Sequence, residues 1–248
     1  MRILLSNDDG IHAHGIRSLC EALSDTAEVY VVAPNQERSA SSHGISLHRA
    51  LEVHEIEVPG ATKAYETSGT PVDCVKWALA VLHPKTPFDL MLSGVNAGAN
   101  LATDVLYSGT VAAAGEASLQ GVKAMALSLV GPPFNFYPAV QALKSMLPDL
   151  YALSLPPDTF LSVNFPEKPD VEKVRWTTLG VRKYHDTFRL ELDESGEQVY
   201  RYGGDIVDER GDGETDVEAI YDGYISITPL RYHFVNEEYY EKMKSIKR

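Results

Sequence analysis

Cysteine is almost missing from this chain: Cys20 and Cys74 are the only two in 248 residues. Two cysteines exclude a disulfide framework, and their spacing builds neither a zinc cluster nor a redox motif. Both fall among apolar positions of helical period, so two buried, reduced thiols and a cytoplasmic location are expected. No apolar run approaches the roughly 20 residues of a membrane span. The opening Met-Arg-Ile-Leu-Leu-Ser-Asn-Asp-Asp-Gly turns acidic too soon for a secretory signal. Cations are scarce as well, with 22 Lys and Arg against 35 Asp and Glu and a formal net charge of −13. A surface of that sign repels phosphodiester backbones, so neither a nucleic-acid polymer nor a membrane is an expected partner. A small phosphate ester remains admissible where its charge is met locally, by a cation or a helix N-terminus.

The residues present are those of an ordinary soluble protein, 44% of them hydrophobic. A chain of this length buries about three-quarters of its unfolded surface and needs no covalent staple. In the first half, short apolar runs alternate with segments of helical period. Residues 2–6, 28–33, 53–58, 64–67, 89–93 and 124–130 read as strands. Residues 15–23, 70–82, 110–120 and 138–151 read as helices, with Thr70 as N-cap and Pro71 in the first helical position. Such alternation predicts the α/β class: a Rossmann-like, doubly wound, mostly parallel sheet.

Residues 160–164 read as a last core strand, after which the texture changes. Residues 183–202 alternate as a long β-hairpin turning at 194–197, and 203–214 read as a loop rich in glycine and aspartate. A short strand at 224–228 and a charged helix at 236–247 close the chain. The expected division is a catalytic core over residues 1–165 and an oligomerisation region over 166–248. That second region comprises a protruding β-hairpin and a C-terminal helical arm, with 223–230 a candidate to return to the core.

Three polar clusters each follow a predicted strand, and open α/β sheets bind ligands beyond the carboxyl ends of their strands. The first is Asn7-Asp8-Asp9-Gly10. These are turn residues, yet adjacent carboxylates repel each other unless protons or a cation intervene, and a hard divalent cation would take both. The second, residues 35–43, reads either as a solvated loop or as the source of a serine hydroxyl ligand, with Arg38 able to orient an anion. The third covers residues 93–100 and continues to Tyr107-Ser108-Gly109-Thr110. Its glycines permit close backbone approach, and an asparagine oxygen is a neutral hard ligand. Ser108-Gly109-Thr110 precedes a predicted helix, where free amides and the dipole favour an anion; plain N-capping is compatible with that. Ser68-Gly69-Thr70 reads mainly as a second cap. His12 and His14 could join the acidic pair around zinc, but no further histidine cluster completes the set. The serines beside His43 lack the glycine-flanked elbow of a hydrolase nucleophile.

In this order the clusters resemble those of the SurE family, the survival-protein nucleotidases. The resemblance rests on Asn7-Asp8-Asp9-Gly10 with Gly15-Ile16, Glu37-Arg38-Ser39, the runs at 93–100 and 104–111, Thr215-Asp216, and the run at 223–230. Each motif alone is weak; the ordered set is specific. Ala102 stands where the family usually has glycine, and the stretch from Arg231 is not distinctive. The resemblance implies one divalent cation per subunit, Mg²⁺ or Mn²⁺ with Ca²⁺ admissible, ligated by Asp8, Asp9, Ser39 and Asn96. It implies hydrolysis of nucleoside 5′- and 3′-monophosphates, with short polyphosphate as a further substrate, by a homodimer or homotetramer. On that reading Asp8 and Asp9 are catalytic, Asp8 the preferred proton acceptor, and Asn96, Ser108, Gly109 and Thr110 bind substrate. Two rivals stay open: a nucleotide-binding regulatory module without catalysis, and a metal-dependent deacetylase.

Overall fold

The computed structural model describes residues 1–209 and 213–245. Strand β1 (Arg2–Ser6) carries Ile3, Leu4 and Leu5, all fully buried, the continuous apolar run of a strand covered on both faces. Around it lie β2 (Glu28–Pro34), β3 (Val53–Ile56), β4 (Lys63–Thr67), β5 (Leu90–Ala97), β6 (Ala124–Leu129), β7 (Thr159–Phe165), β8 (Val174–Trp176) and, late in the chain, β11 (Ile225–Arg231). They form one sheet in the order β3-β4-β2-β1-β5-β6-β7-β11-β8. Its central pairs are parallel; β3 on β4 and β11 on β7 are antiparallel. The α/β, mostly parallel architecture expected from the alternation is the one observed.

The strand period of two sorts side chains into two cores. Ile3, Leu5, Val29 and Val31 face α1 (His14–Leu23) and α4 (Phe136–Ala152). Leu4, Tyr30 and Val32 face α2 (Pro71–Trp77) and α3 (Gly109–Leu119). Cys20 lies in the first core and Cys74 in the second, both buried and free, so the sheet itself separates the two thiols. Helix α3 is buried almost all round, and its small residues let it lie close to the sheet. Thr70 caps α2 through a reciprocal pairing with Asp73, as its sequence position suggests.

The second half departs from expectation in detail. The hairpin is longer: β9 (Val181–Leu192) and β10 (Gln198–Glu209) pair along their whole length, so residues 203–209 continue a strand instead of forming a loop. Cross-strand ion pairs from Arg182 to Asp208 and from Lys183 to Glu209 favour that extension over the turn tendency of the glycines. Residues 210–212 of the expected loop lie outside the described residues. Short β8, a 3₁₀ turn at Ala102–Leu106 and α5 (Asp216–Tyr221) were not anticipated. Helix α5 had a signal, since Thr215 and Glu218 form a capping box, but six residues are too few to show a hydrophobic period. The last helix, α6, spans Glu237–Lys244; residues 246 and 247 of its expected length lie outside the described residues. Among the described residues no helix is long and apolar enough to cross a membrane.

Candidate functional site

Strand order reverses between β1 and β5: the chain builds outward through β2 and β4 on one side and through β6 and β7 on the other. That switch point leaves a crevice beyond the strand ends. The turn after β1 enters it. Asn7 is fully buried and its side-chain nitrogen donates to the Gly10 carbonyl at 2.9 Å, which holds the next two residues in place. The Arg38 amide donates to the Asp8 carbonyl at 2.7 Å, tying the loop after β2 to the same turn.

Asp8 is 4% exposed and its carboxylate accepts the Thr110 hydroxyl. Burial pushes its pKa up, opposed by that hydroxyl and by the backbone amides of Gly109 and Thr110 at the start of α3. Gly109 lies so close that a Cβ there would sit 2.9 Å from the Asp8 Cβ and 2.7 Å from Ser41 Oγ. Asp9 accepts the Ala97 amide at 3.2 Å. Its pKa is raised to about 6, first by burial, then by the neighbouring Asp8 charge.

The Ala97 contact brings the end of β5 against the acidic pair and with it Asn96, whose side-chain nitrogen donates to Gly98 O at 2.8 Å, a bond that leaves its side-chain oxygen unused. The β5–β6 register shifts between Ser93 and Asn96. Gly94 makes this bulge feasible: its φ is +129° and a Cβ would fall 2.2 Å from Leu127 O. Ser39 approaches from the loop after β2, its hydroxyl donating to Glu37 at 2.6 Å.

A cleft of about 440 Å³ thus gathers Asp8, Asp9, Ser39, Asn96 and Ser108 from four segments. Gly109 and Thr110 do not line it. Their amides and the Thr110 hydroxyl serve Asp8, while Ser108 Oγ accepts the Val111 amide as an ordinary N-cap. The group that meets this helix start is the chain's own Asp8 carboxyl, brought from 102 residues away. Arg38 also departs from expectation: its guanidinium donates to Ser68 O at 2.8 Å instead of facing the cleft. His12, 3.9 Å from Glu66, and His14, first in α1, are both exposed and neither lines the cleft; His43 bonds Glu116 at 2.8 Å.

Sequence reasoning missed Tyr184, which enters the cleft from β9, and did not single out Asp104 and Tyr107 beside it. Tyr184 donates its hydroxyl to Asp104, and Arg182 pairs with Asp104 at 2.6 Å and with Asp208 at 2.6 Å. A hairpin far along the chain gives no local sign that its first residues close a distant site.

The donor set suits a hard cation. Two adjacent carboxylates, the Asp8 charge raising the Asp9 pKa, stand beside neutral hydroxyl and amide oxygens, and Ser41 Oγ, buried beside Gly109, has no hydrogen-bond partner. Among the described residues no cluster of three or more His, Cys, Asp or Glu gathers, so softer nitrogen and sulfur donors do not complete a site.

A mostly parallel sheet with an acidic cleft at its switch point defines a Rossmann-like protein that handles small charged ligands. The chain belongs to the Survival protein SurE family, whose model matches residues 3–186. It is 43% identical to the 5′-nucleotidase SurE of Pelotomaculum thermopropionicum over 99% of this chain and 95% of that one. It is 40% identical to the 5′-nucleotidase SurE of Alkaliphilus metalliredigens, over 99% and 98%. The crystal structure of the SurE protein from Aquifex aeolicus superposes with a TM-score of 0.83 at 33% identity, covering all of this chain and 98% of that one.

Proposed function

We propose that this chain is a divalent-metal-dependent phosphatase of nucleoside 5′- and 3′-monophosphates, with short polyphosphate a secondary substrate. One observation carries the reading: Asp8, Asp9, Ser39 and Asn96, scattered over 89 positions, share one cleft, and relatives across nearly the whole chain bear the name 5′-nucleotidase. Those four residues would hold Mg²⁺ or Mn²⁺, with Ca²⁺ chemically similar. When bound, such an ion lowers the pKa of a water and offsets charge on the phosphate oxygens.

The chain's own residues do the rest. Thr110 fixes the orientation of Asp8 and, with the start of α3, opposes the burial that raises its pKa. Asp9, with a single backbone donor, is freer than Asp8, the acceptor expected from the sequence, to take the proton of the attacking water. Ser108 lines the cleft where the phosphate would lie. The demand is large, because uncatalysed phosphate-monoester hydrolysis needs accelerations up to about 10²¹-fold; positioning and charge stabilisation must supply most of it.

We further place the protein in the cytoplasm, on the strength of its two free buried thiols. A homodimer or homotetramer built through the hairpin fits the exposure of Phe188, Leu190, Leu192 and Tyr200 there. The core and assembly regions would then divide near residue 165.

The test is phosphate release from AMP with Mg²⁺ or Mn²⁺, with and without EDTA. Metal-dependent release lost in Asp8→Asn supports the reading. Tight AMP binding with no release would instead make this a regulatory module.

A further inference from the structure

The acidic cleft opens into a second, larger cavity of about 770 Å³, and Ala40, Tyr107 and Tyr184 line both. Its far wall is the base of the hairpin, with Tyr202 and Val207 from β10 and His185 from β9. Tyr107 and Tyr202 are 58% and 59% exposed, so both rings are open to a ligand in this cavity. The Tyr202 ring is held in place: its hydroxyl donates to Asp186 at 2.7 Å and Phe188 packs against it with centroids 5.4 Å apart. Tyr107 and Tyr202 line the same cavity.

The charges around this cavity are already matched. Arg182 is satisfied by Asp104 and Asp208, Lys183 by Glu209, and Asp186 accepts from Tyr202. A second phosphate group would find no spare cation among these, whereas a flat, neutral, aromatic body would find ring faces. The volume is also that of a small-molecule site, which spans roughly 300–1,000 Å³.

We infer that this cavity is the nucleoside subsite, in which the base stacks on Tyr202 and Tyr107 while the phosphate reaches the acidic cleft. The inference rests on the phosphatase reading of that cleft. It makes the hairpin a specificity element and assigns discrimination for nucleotides over simple phosphate esters to Tyr202. It also ranks short polyphosphate below nucleotides, since a charged chain gains nothing from the rings.

Calorimetric titration of the full chain with adenosine and, separately, with inorganic phosphate tests it, for the wild type, Tyr202→Ala and Tyr202→Phe. Stacking of one base is large enough that Tyr202→Ala should weaken adenosine about tenfold. Phosphate affinity should be unmoved, and Tyr202→Phe, which keeps the ring, should retain adenosine. The ratio of kcat/KM for AMP to that for glycerol 2-phosphate should fall about tenfold in Tyr202→Ala. Equal adenosine affinity in the wild type and Tyr202→Ala overturns the inference, and so does a loss of phosphate affinity in the same proportion. A wild type that binds adenosine through Tyr202 yet releases no phosphate from AMP would sink the phosphatase reading and leave the subsite standing.

Discussion

Glu116 lies on α3, well away from the acidic cleft, yet its removal should be felt there. Its side chain is 7% exposed and accepts from His43 at 2.8 Å, Lys76 at 2.9 Å and Gln120 at 2.6 Å. His43 belongs to the loop that carries Ser39, and the same loop is strapped down at neighbouring points. Ser42 donates to the carbonyls of Leu106 and Tyr107, Thr70 donates to Gly44 O, and the Ser46 amide donates to Asp73. The hydrogen bond from His43, with help from Lys76, holds the Glu116 pKa down at about 2 against the pull of burial.

Removing one partner of a fully buried ion pair costs about 3–5 kcal/mol. Lys76 is half exposed and can turn to water, so Glu116→Gln should cost about 1–2 kcal/mol at pH 7. The folded pKa lies below the unfolded value, so this stability is present above about pH 4.5 and is lost as pH falls toward 2. Urea denaturation at pH 7 and pH 3 measures it: the gap between wild type and Glu116→Gln should narrow markedly at pH 3. A gap of equal size at both values would show that the carboxylate charge is not what ties the loop down. Loosening the strap should also lower kcat for AMP at least tenfold, roughly what a misplaced ligand near 1 Å costs.

Asp8→Asn and Asp9→Asn should each abolish metal-dependent phosphate release, measured with AMP, while melting curves show an intact fold. In the metal-free protein Asp9→Asn should melt higher than wild type at pH 7.5, because burial and Asp8 raise the Asp9 pKa to about 6 and penalise its ionised form. That advantage should shrink as pH falls from 6 and vanish below about pH 3, where the carboxyl is protonated in both folded and unfolded chains, and calorimetry across pH reads it. Thr110→Val removes the hydroxyl that Asp8 accepts and should weaken Mn²⁺ binding about tenfold, the usual cost of losing a group that orients a ligand. Gly94→Ala should destabilise by at least about 2 kcal/mol in urea titrations, since φ is +129° and the new methyl would meet Leu127 O at 2.2 Å.

The apolar runs of β1, β2, β5 and β6, interleaved with segments of helical period, were enough by themselves to specify a parallel α/β sheet. Those periods are local properties, repeated every two or 3.6 residues, and the buried strands leave little choice of class. Asp8, Asp9, Ser39 and Asn96 were singled out together by the ordered series of motifs on which the family resemblance rests, and the four do line one cleft. What only the tertiary structure decided is which donor meets which acceptor. The start of α3 looked ready for a phosphate, but packing put Asp8 there first. Nothing in the sequence marks Glu116 as the anchor of the loop that bears His43. Tyr184 and Tyr202 alternate like any hairpin residues, and only the docking of β9 against the 3₁₀ turn brings Tyr184 to the cleft and Tyr202 to the cavity beside it. Sequence patterns report the face a residue shows to the core; they do not carry the ångström-scale distances across a hundred residues on which hydrogen bonds and ligand sets depend.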